Sequence, residues 1–133
     1  YWGNMVFHRL DRITDMAIAD QKATPIRDVP GYEHGINYRE LSSAMPYMYT
    51  DRPESIEFIA DVGTIDQVID WFGFDVCITK TEEENKVRVC VKASPNAMVH
   101  WAMQYIDHVE IVSPESLRMR VKTALENGRK KYQ

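Results

Sequence analysis

The sequence predicts an α+β protein: a ferredoxin-like βαββαβ domain with an added C-terminal helix. Three observations predict it. Apolar residues recur at period two in stretches beginning near positions 54, 76, 87 and 109. They recur at helical spacing in stretches opening at Thr64, Ser94 and Ser113. The two kinds alternate as strand, helix, strand, strand, helix, strand, which with right-handed crossovers closes as a four-stranded antiparallel sheet carrying both helices on one face.

Each element has its own signal. Ile56, Phe58 and Ala60 alternate with Ser55, Glu57 and Ile59, which reads as the first strand. Thr64 with Gln67 three residues on is a capping box, Ile65, Val68, Ile69 and Phe72 form the helix's apolar stripe, and Gly73 stops it. Val76 and Ile78 face one way on the second strand, and Val87, Val89 and Val91 face one way on its return. An acidic four-residue turn at 82–85 then places Ile78 opposite Val89, Val76 opposite Val91, and Cys77 opposite Cys90 on the other face. Ser94-Pro95 opens the second helix, with Met98, Trp101, Ala102 and Tyr105 inward. Val109 and Ile111 mark the fourth strand. Ser113-Pro114 opens the last helix, with Leu117, Val121, Ala124 and Leu125 inward and Gly128 near its end.

The front of the chain reads differently. Val6, Phe7, Leu10, Ile13, Met16 and Ile18 make two short strands broken near Asp11-Arg12, which need further strands to pair with. Pro25, Pro30 and Gly31 mark a connection. Asn37 and Glu40 begin a short helix with Tyr38, Leu41 and Met45 on one face, ended by Pro46. The expected division is 1–20 for the front strands, 21–52 for the connection with its short helix, and 53–133 for the ferredoxin-like domain with its terminal helix.

Composition narrows the function. The chain has 133 residues, 44% of them apolar, enough for a real core. Its net charge is −4, whereas a duplex-DNA binder needs a basic face; Arg129-Lys130-Lys131 alone clusters positive charge, as a solvated helix end does. No run of apolar residues approaches membrane-spanning length, and no signal peptide is evident. The expectation is a cytoplasmic protein, since no targeting segment is evident, and a piece of a longer one, because no initiating Met is present. Two cysteines make neither a disulfide framework nor a zinc site; facing each other, they are a redox pair or simply two small strand side chains.

Catalytic patterns are wanting. His8, His34, His100 and His108 lack the spacing of a zinc hydrolase motif, and His100 and His108 are expected at the surface. There is no glycine-rich phosphate loop and no Gly-x-Ser-x-Gly elbow. Trp71, Trp101, Met98 and Met103 fall on or beside helical stripes, where core packing accounts for them. The expectation is therefore a non-enzyme without metal or cofactor. One polar cluster stands out, Arg9-Leu10-Asp11-Arg12. Guanidinium forks bind phosphate or carboxylate through paired hydrogen bonds, and Asp11 can orient one Arg while the other meets a ligand. The competing reading is a structural ion pair at a strand end.

The run Phe7-His8-Arg9-Leu10-Asp11-Arg12-Ile13 resembles the signature near the end of the WYL domain, with His8 where Phe is usual. Gln67-Val68-Ile69-Asp70-Trp71-Phe72-Gly73 and Val109-Glu110-Ile111-Val112-Ser113-Pro114-Glu115-Ser116-Leu117-Arg118 resemble the C-terminal extension that follows WYL domains. The Trp-Tyr-Leu tripeptide itself is absent. The resemblance implies a bacterial transcription regulator whose Sm-like barrel, here represented by its last strands, senses a ligand, a nucleotide or nucleic acid. It implies that the extension supports homo-oligomerisation, that duplex DNA is read by a separate N-terminal winged helix-turn-helix, and that Arg9, Asp11 and Arg12 belong to the ligand groove. The alternatives are a free-standing ferredoxin-like small-molecule-binding module and, more weakly, an enzyme using Cys77.

Overall fold

Each amphipathic element can bury only one face, and here they bury it against the same sheet. The computed structural model describes residue 8 and residues 10–37, 47, 49 and 51–133. The elements are β1 (Glu54–Asp61), α1 (Ile65–Phe72), β2 (Cys77–Lys80), β3 (Lys86–Ala93), α2 (Pro95–Gln104), β4 (Val109–Ser113) and α3 (Glu115–Lys131). The strands form one four-stranded sheet in the order β2-β3-β1-β4, with every neighbouring pair antiparallel.

The period-two pattern sets the sheet's inner face. Ile56, Phe58 and Ala60 oppose Val91, Val89 and Val87 of β3, and Phe58 and Ala60 also oppose Ile111 and Val109 of β4. Opposed residues share a face, so these side chains make one apolar layer. Val68 of α1, Met98, Trp101 and Ala102 of α2, and Leu117 and Val121 of α3 close over it in a single cluster. At its centre the Trp101 ring lies 5.2 Å from Phe58 and 5.0 Å from Phe72. Tilted and edge-on contacts of this kind suit the charge distribution of aromatic rings.

Helix ends show where local rules hold. At α2 the Ser94 hydroxyl accepts from the Ala97 N–H at 3.0 Å, with Pro95 in the first turn, as expected. Asp51 adds a second cap from far along the chain: its carboxylate accepts from the Ser94 hydroxyl at 2.6 Å and from the Asn96 N–H at 3.2 Å. Gly73, at φ 73°, ends α1 by donating its N–H to the Ile69 carbonyl at 2.8 Å. The Thr64–Gln67 capping box does not form. A 3-10 turn over Val62–Thr64 leads into α1 and holds Thr64 at φ −102°, ψ 7°, away from the extended geometry of a capping residue. Its hydroxyl donates back to the Asp61 carbonyl at 2.7 Å instead.

The hairpin has the expected register, with Cys77 opposite Cys90, Ile78 opposite Val89 and Lys80 opposite Val87. Pairing begins at Cys77, so Val76 sits outside the ladder, half-buried against the core. Along α3 the inward stripe ends sooner than expected. Leu117 and Val121 are buried, but Leu125 is 39% exposed. Arg118 fastens α3 to β4, donating to the Ile111 carbonyl and pairing with Glu110, each at 2.8 Å.

The front segment departs from expectation. Among the described residues no strand precedes Glu54. Leu10–Arg12 form a 3-10 turn closed by the Ile13 N–H to the Leu10 carbonyl at 3.2 Å, and residues 13–18 are exposed and unladdered. An extended segment becomes a strand only when a neighbour takes up its backbone hydrogen bonds, and no described residue does so here. The first expected strand and the short helix begun at Asn37 fall mainly outside the described residues.

Three substitutions test this packing. Trp101→Ala is expected to lower stability by about 3–5 kcal/mol in urea titration, as large aromatic deletions in cores do. Trp101→Phe is expected to cost far less, since the buried indole N–H has no acceptor among the described residues and Phe removes it. Asp51→Ala is expected to cost about 1–2 kcal/mol through the lost cap on α2; an unchanged midpoint would show that the distant carboxylate is idle.

Candidate functional site

The sequence-predicted cluster lies on the front turn. Asp11 and Arg12 sit side by side in the Leu10–Arg12 turn, both exposed, and Asp11 has an interaction partner. Arg9 lies outside the described residues. A short 3-10 turn projects successive side chains in diverging directions, so Asp11 and Arg12 present a carboxylate and a guanidinium to solvent from one small knuckle. Guanidinium in that position can take an anion through its planar fork.

A second constellation joins the front segment to α2, and sequence reading missed it. Tyr47 stacks on Trp71 with ring centres 5.6 Å apart, and Tyr49 stacks on His100 at 5.7 Å. The Tyr49 hydroxyl is 2.7 Å from His100 Nε2, and the Tyr47 hydroxyl donates to Gln104 Oε1 at 3.2 Å. Beneath them the Trp71 N–H donates to the Tyr105 hydroxyl at 3.3 Å. Burial pushes the Tyr47 phenol above its ordinary range, and nearby Tyr105 adds to this. With Asp51 on the start of α2, three alternating positions (47, 49 and 51) grip one helix. That alternation is the only sign the sequence carries; the partners lie about fifty residues away. His100 is exposed, as expected, but it is held rather than free.

The third constellation is on the sheet face opposite the helices. Alternation along the strands turns Glu57, Cys77, Arg88, Cys90 and Glu110 to this side. Glu57 pairs with Arg88, and the Cys90 thiol donates to the other carboxylate oxygen of Glu57 at 3.8 Å. Burial raises the Cys90 thiol above its ordinary range, and the negative charge of Glu57 and the neighbouring Cys77 push the same way. A thiol held protonated in this manner is a weak nucleophile. His108, also on the surface, pairs with Asp61 at 2.9 Å. Among the described residues no group of three or more His, Cys, Asp and Glu could hold a metal ion, and no helix is long and apolar enough to cross a membrane.

The motif residues of the second half are thus builders of the scaffold. Trp71 carries Tyr47, Phe72 packs on Trp101, and Arg118 ties α3 to β4. No curated protein matches the sequence. Residues 48–128 match the family model described as the WCX domain, from just after Tyr47 to the last turns of α3. With well over half of its length in that match, the chain belongs to the WCX family, a C-terminal domain of WYL-type regulators.

Proposed function

We propose that this chain is the effector-sensing and assembly portion of a bacterial, cytoplasmic WYL-family transcription regulator, and that it acts by binding rather than by catalysis. The observation that carries this reading is order along the chain: the Arg9-Leu10-Asp11-Arg12 motif is followed, after a connection, by the WCX match at 48–128. The scaffold is read as ferredoxin-like, supported by the alternation of its elements and by the strand order β2-β3-β1-β4.

Arg9 and Arg12 are assigned to an anionic effector, a nucleotide or nucleic acid, with Asp11 orienting them. An effector shifts a regulator only if it binds two arrangements with different affinity. The grip of Tyr47, Tyr49 and Asp51 on α2 gives two such arrangements a physical basis, docked and undocked. Homo-oligomerisation is assigned to the sheet, whose outer strands β2 and β4, and whose face opposite the described helices, leave surface for a second copy. A free-standing ferredoxin-like binding module is the weaker reading, because it leaves the front motif without a role.

The test uses a short fluorescein-labelled single-stranded oligodeoxynucleotide and fluorescence anisotropy at fixed salt. Arg9→Ala and Arg12→Ala are each expected to weaken binding about tenfold, the loss of one charge-assisted contact. Lys130→Ala on the tail is expected to change it little. Equal affinity across all three variants would remove the arginines from the site. Light scattering at rising concentration checks assembly, and a strict monomer throughout would overturn that part.

A further inference from the structure

Cys77 and Cys90 stand directly opposite each other on β2 and β3, and both face away from the helices. Directly opposed residues of an antiparallel pair keep their Cα atoms about 4.5–5.5 Å apart, inside the window of about 4.4–6.8 Å that a disulfide spans. Both thiols are free; Cys77 is exposed and Cys90 is partly buried. Two cysteines in strands have an ordinary explanation as small apolar side chains. That explanation requires burial, and Cys77 has none to offer. It is the first residue of a four-residue outer strand, reached directly from an exposed loop at 73–75.

We propose that Cys77 and Cys90 form a reversible cross-strand disulfide site, written by small-molecule disulfides of the glutathione class. The exposed Cys77 thiolate attacks the disulfide RSSR, forming a Cys77–S–S–R bond and releasing one thiolate, which takes a proton from solvent. The Cys90 thiol gives its proton to solvent and its sulfur attacks Cys77 Sγ, displacing the second R thiolate. The two protein thiols are oxidised and one RSSR is reduced to two RSH. Cys90 is the slower partner, because its proton is shared with Glu57 at 3.8 Å and its sulfur is partly shielded. The new bond pins the first residue of β2, an outer strand with a single neighbour, to β3.

The experiment treats the intact 133-residue chain with excess glutathione disulfide without oxygen, and follows intact mass, thiol titration and the linked peptide. Two titratable thiols should fall to none, with loss of two hydrogens in mass, a peptide joining Cys77 to Cys90, and full reversal by dithiothreitol. Cys90→Ser should stop at a stable glutathione adduct on Cys77. Closing should quicken about tenfold per pH unit in the neutral range, as the thiolate fraction of Cys90 rises. Three results would overturn the proposal: a persisting glutathione adduct in the unsubstituted chain, crosslinks between chains in place of the internal bond, or unreacted thiols in the folded chain while the urea-unfolded chain reacts. The unsubstituted chain decides the matter alone should Cys90→Ser lose its native circular dichroism.

Discussion

Trp101 sits where three elements meet, and its contacts with Phe58 of β1 and Phe72 of α1 are the constraint from which the remaining arrangement follows. A ring that is 1% exposed and flanked by two others can be satisfied in few ways, since interiors are packed as densely as crystals. Once it is set, Tyr105 lies 5.1 Å away at the end of α2 and is placed to receive the Trp71 N–H. Trp71 in turn offers its face to Tyr47. Ring contacts joined by one hydrogen bond thus run from the middle of the core to the segment that leads into the domain. The docking of that segment extends the core, and the polar contacts of Tyr47, Tyr49 and Asp51 with α2 add to it.

The two faces of the sheet do different work. The inner face carries the apolar layer and, among the described residues, all three helices, where burial supplies most of the stabilisation. The outer face carries ion pairs and two thiols. Exposed ion pairs such as Arg88 with Glu57 contribute little to stability, so residues there are free of most packing demands. This separation leaves the packed layer and the polar outer face with different residue demands. It also explains why the motifs shared with WYL-type extensions fall on scaffold residues such as Trp71 and Arg118.

Much of the fold was legible in the chain. Element order, the inward residues of β1 and β3, the opening of α2 at Ser94 and the pairing of Cys77 with Cys90 all follow from rules that operate within a few residues or across one turn. The front motif is a recognisable pairing of guanidinium and carboxylate in the chain, and its role is part of the proposed function. The Tyr47, Tyr49 and Asp51 grip was not legible, since nothing local marks a tyrosine as the partner of a histidine fifty-one positions on.

By itself, then, the sequence determined periodicity, stops and register, which are geometric properties of a backbone with fixed spacing between side chains. Tertiary structure decided the rest. It sent Asp51 to a helix forty-three residues away and left Leu125 39% exposed. It also left residues 13–18 without a ladder among the described residues. The physical reason is common to all three: whether a polar atom or an apolar side chain finds a partner depends on which surfaces dock, and docking is a property of the assembled layers.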